Sequence, residues 1–306
     1  MLFKKGVFLF FVLGLIGAGS VLECKVQHYS GKAEENMLTE HVTIITTTHP
    51  IPSNPSVEML RRTQENLFTI PAFRGCRKII VFDGLPEDLS YLEKHLAPSE
   101  LEERNIRDLA SEKYEQYKEN VLKLTREDPY FSNTTLVFSD EHLHLAFAIE
   151  KALEEVETPF VYIHQHDLEL TKDIDAVNII RSMECNPNIK YVRINLLSNT
   201  PENGWDTLLD DYVEGGSLAP LLRTNLWSDN EHFCSVEYYT DFILPKMPRE
   251  YPMPMECLLM REEKEAIQED VSNHLIYGTY VYGKLGDSPY LFHVDGSRHY
   301  GDEWEY

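Results

Sequence analysis

The sequence predicts an α/β protein: a Rossmann-like, mostly parallel sheet flanked by helices. Three observations carry this. Short β-branched or apolar runs take turns with amphipathic segments, so strand and helix patterns alternate along the chain. The clearest runs are apolar throughout, as expected of strands covered on both faces. The third is Pro159 to Leu170, PFVYIHQHDLEL, which changes abruptly from an apolar strand into His164, Gln165, His166, Asp167 and Glu169. Imidazoles and carboxylates at the carboxyl end of a buried strand stand where open α/β sheets hold their ligands.

The elements follow in order. His41–Thr48 (HVTIITTT) is a β-branched strand, stopped by the proline-punctuated loop from His49 to Pro55. Ser53 or Ser56 can cap the helix VEMLRRTQENL, with Val57, Leu60 and Leu67 at helical spacing. Arg77–Gly84 (RKIIVFDG) is a second strand, ending in Asp83. Two βα units in succession imply parallel pairing with right-handed crossovers. Pro86 to Leu96 reads as a helix. Ser99 to Leu124 reads as a longer, highly charged helix, expected to be a solvated insertion from its weak amphipathicity. Thr134–Ser139 is the third strand, followed by a helix through Leu153 that delivers the chain to the strand bearing Asp167. Asp173 to Cys185 is a further helix and Lys190–Leu197 a further strand. From Ser198 to Pro254, glycines, prolines and the aromatics Trp205, Trp227 and Tyr238-Tyr239 predict long loops, suited to substrate recognition or simply to packing an accessory region. A helix from Arg261 to about Asn273 and an aromatic, glycine-bearing stretch from Leu275 to Leu285 close the fold.

The N-terminal residues read apart from this unit. Lys4 and Lys5 precede the uncharged run Gly6–Leu22, so residues 1–23 are expected to be a signal peptide or signal anchor. The lysines favour a cytoplasmic N-terminus and a translocated remainder. The anchor is preferred, giving a type II, single-pass membrane protein of the secretory pathway in the Golgi or ER, with secretion as the alternative. Residues 24–40 read as a stem and residues 41–306 as one domain.

Composition bounds the function. The chain has 306 residues, a formal net charge of −23 and a pI near 4.9, which argues against nucleic-acid partners needing a basic face. An anionic substrate would need a metal ion or a few placed arginines. Cys24, Cys76, Cys185, Cys234 and Cys257 have no zinc-like spacing; one or two disulfides are expected behind a secretory segment, with the pairing open. Asn133-Thr134-Thr135 is a glycosylation acceptor.

The order of these parts resembles the GT-A fold of nucleotide-sugar glycosyltransferases over roughly residues 41 to 300. In that fold a polar loop after the first strand opens the nucleotide site, the second strand ends in an Asp near the base, and a later strand ends in Asp-x-Asp, which holds a metal that a late His completes. Here Thr46, Thr47 and His49 fall on the first loop and Asp83 on the second strand end. Gln165-His166-Asp167 falls on the Asp-x-Asp position, with Gln165 replacing the first acid, and His293 of FHVDG on the late histidine. The resemblance implies a donor half at 41–197 and an acceptor half at 198–306. It implies a Mn²⁺ or Mg²⁺ cofactor held by Asp167, His166 and His293, with Arg298 beside the diphosphate. The partners implied are a nucleotide-diphospho-sugar donor and a glycan, protein or lipid acceptor. A cation stabilises the charge developing on the leaving diphosphate, and an inverting enzyme also needs a carboxylate to deprotonate the acceptor hydroxyl. Glu256 best fits that role, at the start of a helix whose dipole favours an anion, with Asp229 and Glu231 as rivals. Three other readings stand beside this one. A nucleotidyltransferase is disfavoured because no glycine-rich, lysine-bearing loop follows the first strand. A non-catalytic binding protein would have Gln165 as its signature. A zinc hydrolase would draw on several of the histidines.

Overall fold

The computed structural model describes residues 37–93, 105–201, 206, 210–249 and 253–294. The predicted α/β class is what the chain adopts: an eight-stranded, mostly parallel sheet flanked by helices, with strand order β3-β2-β1-β4-β8-β6-β9-β7. Its parallel half comprises β1 (Val42–Thr48), β2 (Arg77–Phe82), β3 (Thr134–Phe138) and β4 (Phe160–Gln165). The other half holds β6 (Tyr191–Arg193), β7 (Leu221–Arg223), β8 (His232–Ser235) and β9 (Thr279–Tyr282), in which β7 and β8 run antiparallel to their neighbours. A separate two-stranded ribbon pairs β5 (Leu168–Leu170) with β10 (Leu291–His293).

Alternation along the strands explains their apolar composition. In β1, Ile44 faces one core cluster and Ile45 the other; in β4, Tyr162 and Ile163 divide in the same way. Each such side chain, removed from water on its own face, contributes about 1.5–3 kcal/mol. One face is covered by α1 (Glu58–Thr69) and α4 (Ala176–Cys185), the other by α3 (His144–Leu153) and α5 (Met255–Glu269).

The structure departs from the sequence-based expectations at several places. The charged helix is not a solvated insertion: α2 (Ile106–Glu127) buries Tyr114, Tyr117 and Val121 against Ile80 and Phe82 of β2. Its buried face is made largely of tyrosines, whose hydroxyls find partners, Tyr114 donating to the Asp83 carbonyl at 2.8 Å and Tyr117 pairing with Thr48 at 3.0 Å. Tyrosine weighs little in an amphipathicity count, so the face was missed. The region from 198 to 254 contains two strands, β7 and β8, too short for a periodicity signal. Leu38, placed in the stem, is fully buried in the core, so the folded unit extends N-terminal to residue 41. The expected signal segment and most of the stem lie outside the described residues; among those described, no helix is long and apolar enough to cross a membrane.

A buried polar layer ties α5 to the sheet. Arg193 of β6 is 1% exposed and pairs with Asp206 at 2.9 Å, and Thr224 bonds the same carboxylate. Beside it, Glu263 of α5 accepts from the Thr279 hydroxyl, while its Oε2 meets no hydrogen-bond partner among the described residues. Burial pushes the Glu263 carboxyl up to about 8. A raised carboxyl pKa means the native state holds a proton that the unfolded chain has released, so stability falls as pH rises from about 4.5 towards 8. Glu263→Gln keeps the shape without the proton and should flatten that decline. Thermal melts between pH 5 and 9 check it: parallel Tm curves for both proteins would show that Glu263 does not titrate there.

Candidate functional site

The site forms where the carboxyl ends of the parallel strands meet the antiparallel half. After Gln165 the chain turns through His166 and Asp167 and re-enters as β5, whose antiparallel partner β10 sets His293 opposite Leu168. The Val294 amide donates to the Asp167 carbonyl at 2.9 Å, and His293 Nδ1 stands 3.7 Å from Asp167 Oδ2. Two residues far apart in sequence thus share one corner because a short ribbon closes the chain on itself. Burial alone would push the Asp167 carboxyl up, but His293, His166 and His49 around it hold it down at about 2. It is a carboxylate throughout the physiological range.

His166 lies beside this pair with its Nδ1 3.2 Å from the Thr47 carbonyl and its ring 4.8 Å from the ring of His49. Among the described residues, no three His, Cys, Asp or Glu side chains form a group able to hold a metal by themselves. One ionised carboxylate and one imidazole nevertheless suit Mn²⁺ or Mg²⁺, which draw their remaining oxygens from phosphates and water. They do not suit a structural or hydrolytic zinc site, which needs three or four protein ligands.

A cavity of about 400 Å³ opens beside His293, lined by Gln165, Arg193, Asn195, Asp229 and Glu256, with apolar walls from Leu197, Leu226 and Met260. The two carboxylates expected from sequence to compete for the base role meet here. Asp229 comes from the loop between β7 and β8. Glu256 sits in the first turn of α5, which starts at Met255, six residues before the sequence reading placed it. Burial and the Glu256 carboxylate, to which it is hydrogen-bonded, push the Asp229 carboxyl up to about 7. A carboxyl raised to about 7 beside a second carboxylate in this cavity is poised for proton transfer near neutral pH.

The remaining expected residues fall as follows. Glu231, the third candidate base, is fully buried away from the cavity, bonded to His164 Nδ1 at 2.5 Å and to the Tyr162 hydroxyl, which corrects that expectation. Thr46 is fully buried and accepts from Gln64 Nε2 at 3.0 Å, so it packs the first loop from beneath. Asp83 spends its carboxylate at the N-terminus of α3: Oδ1 accepts from the Leu143 amide at 2.6 Å, and Oδ2 accepts from the His144 amide at 3.1 Å with His142 Nδ1 2.9 Å away. Its carboxylate acts as a helix-end anchor. Thr47 and His49 border the histidine corner. Arg298 lies outside the described residues.

Arg193, Asp206, Asn195 and Asn230 went unread in the sequence. A lone arginine inside the apolar strand KYVRINLL was a usable signal, since a buried guanidinium demands an acid partner.

No protein-family model and no curated protein matches the chain. Among solved structures, the chain is similar to the mannosyltransferase PcManGT from Pyrobaculum calidifontis, in complex with GDP-Man and Mn²⁺. That likeness has 12% identity and a TM-score of 0.42, covering 79% of this chain and 56% of that one. It is also similar to TarS from S. aureus, at 12% identity and a TM-score of 0.45 over 83% of this chain and 36% of that one. HddC from Yersinia pseudotuberculosis follows at 14% identity and a TM-score of 0.36, covering 67% and 86%. The chain therefore spans little more than half of the first of these proteins and about a third of the second.

Proposed function

We propose that the protein is a metal-assisted glycosyltransferase using a nucleotide-diphospho-sugar donor. The observation that carries this reading is the approach of Asp167 and His293 beside a cavity that also holds the Asp229–Glu256 pair. Donor and acceptor chemistry need these two groups adjacent. A divalent cation bound at Asp167 and His293 would supply Lewis-acid stabilisation of the departing diphosphate. The chain's own residues do the rest. The Asp229–Glu256 pair takes the proton of an acceptor hydroxyl held in the cavity, and the apolar walls exclude water that would otherwise compete as acceptor. A pair of carboxyls dedicated to deprotonating the acceptor favours inversion at the anomeric carbon.

A panel of nucleotide sugars, screened for hydrolysis and binding with and without Mn²⁺, tests the proposal. Turnover or metal-dependent binding of one donor supports it; no binding of any donor with any divalent metal ends it.

We further propose that the domain lies in the lumen of the secretory pathway, behind a membrane anchor at residues 1–23. Cys185 is disulfide-bonded while Cys76, Cys234 and Cys257 carry free thiols, and a disulfide suits an oxidising compartment. The sequon is also presented suitably: Asn133 is exposed at the start of edge strand β3. Expression in secretory cells should therefore yield a glycosidase-sensitive mass shift that Asn133→Gln removes. A cytoplasmic, unglycosylated product would sink the topology.

A further inference from the structure

We propose that Gln165 is a positioning residue that fixes the acceptor-side carboxyl pair against the end of β4, and is not a ligand of the cation. The proposal rests on the donor and acceptor roles inferred above, but its geometry stands independently of them.

β4 and β8 are antiparallel, with Ile163 opposite His232, so continuing the register by two residues sets Gln165 opposite Asn230. The loop that supplies Asp229 must therefore run alongside the motif. There Gln165 Nε2 donates to the Asp229 carbonyl at 2.8 Å. An ionised aspartate at this position has no proton to give and would set an anion against a carbonyl oxygen, so the amide is required by the contact. A second tie lies two residues further on. The buried Glu231 carboxylate accepts from His164 Nδ1 at 2.5 Å and from the Tyr162 hydroxyl, both on β4. With residues 229 and 231 both bonded to β4, the Asp229 side chain is held facing Glu256. Gln165 thus gives up the charge that an acid would offer a cation and provides register between the two halves of the site. The cation is left to Asp167 and the histidines of its corner, His293 and His166.

The test compares Gln165→Glu and Gln165→Ala with Asp167→Ala in the full chain. Hydrogen exchange of the amides from 228 to 231 should accelerate about fivefold in both Gln165 variants, the equivalent of about 1 kcal/mol for one lost amide bond, with exchange in β1 and β2 unchanged. Calorimetric binding of Mn²⁺ with UDP or GDP should be kept by Gln165→Ala and lost by Asp167→Ala. In any donor turnover, Gln165→Ala should lower kcat and leave the donor KM unchanged. Loop exchange unchanged in both variants overturns the proposal. So does a loss of Mn²⁺–diphosphate affinity in Gln165→Ala as large as that in Asp167→Ala. If the wild-type protein binds neither diphosphate nor any donor of the nucleotide-sugar panel, the transferase reading falls, and the exchange measurement still decides the role of Gln165.

Discussion

Asp167→Ala is expected to abolish metal-dependent binding of a nucleoside diphosphate, a loss of at least about a hundredfold, because several kcal/mol of charge stabilisation pass through that carboxylate. The expectation follows from its state. Asp167 stays ionised down to about pH 2 because three histidines surround it, and His293 stands 3.7 Å from one oxygen. His293→Ala should weaken binding less, since it leaves the anion in place. The fold should survive both changes, because the β5–β10 ribbon is held by backbone pairing and the Val294 amide bonds a main-chain oxygen. There is a stability term with a defined sign: a carboxyl held below its ordinary value stabilises the native state above about pH 4 and loses that contribution as pH falls towards 2. Acid unfolding of Asp167→Ala should accordingly be less steep. Calorimetry with Mn²⁺ and GDP or UDP decides the main point. Affinity retained in Asp167→Ala would remove the cation from this corner.

The second large effect concerns the carboxyl pair. Transfer should rise with pH through an apparent pKa near 7 set by Asp229, whose carboxyl burial and the neighbouring Glu256 raise, because it must lose its proton before it can accept another. Asp229→Asn and Glu256→Gln should each cost about 10²- to 10⁴-fold in kcat, the usual span for a lost general base. Stability should move the opposite way. The Asp229 carboxyl is raised in the native state, so it destabilises the fold as pH climbs from about 4 to 7, and Asp229→Asn should melt higher than wild type at pH 8. An activity loss accompanied by a stability gain separates a working acid from a merely structural one. A pH–rate profile without a limb between pH 6 and 8 would exclude the pair as the base.

Much of this was legible in the residues. Apolar, β-branched runs such as VTIITTT and FVYI identified β1 and β4, because a strand covered on both faces has no room for polar side chains. Asp167 was legible at the end of an apolar strand, and the resemblance singled out Asp229, Glu256 and His293. Glu231 looked equivalent to Asp229 in sequence, yet two residues along the same loop point one carboxylate into the cavity and bury the other against His164. Thr46 and Asp83, which the resemblance implied for the nucleotide site, have side chains engaged by Gln64 beneath the first loop and by the amides at the start of α3.

The sequence alone determined the βα order, the parallel half of the sheet and the identity of the chemically able side chains, since those follow from local periodicity and residue type. Only the tertiary structure decided which of them share a corner. The approach of Asp167 to His293 depends on a three-residue ribbon, and the pairing of Asp229 with Glu256 depends on where β8 and α5 begin. Such contacts join segments far apart in the chain, and their geometry is set by sheet register and helix packing, which no local pattern encodes.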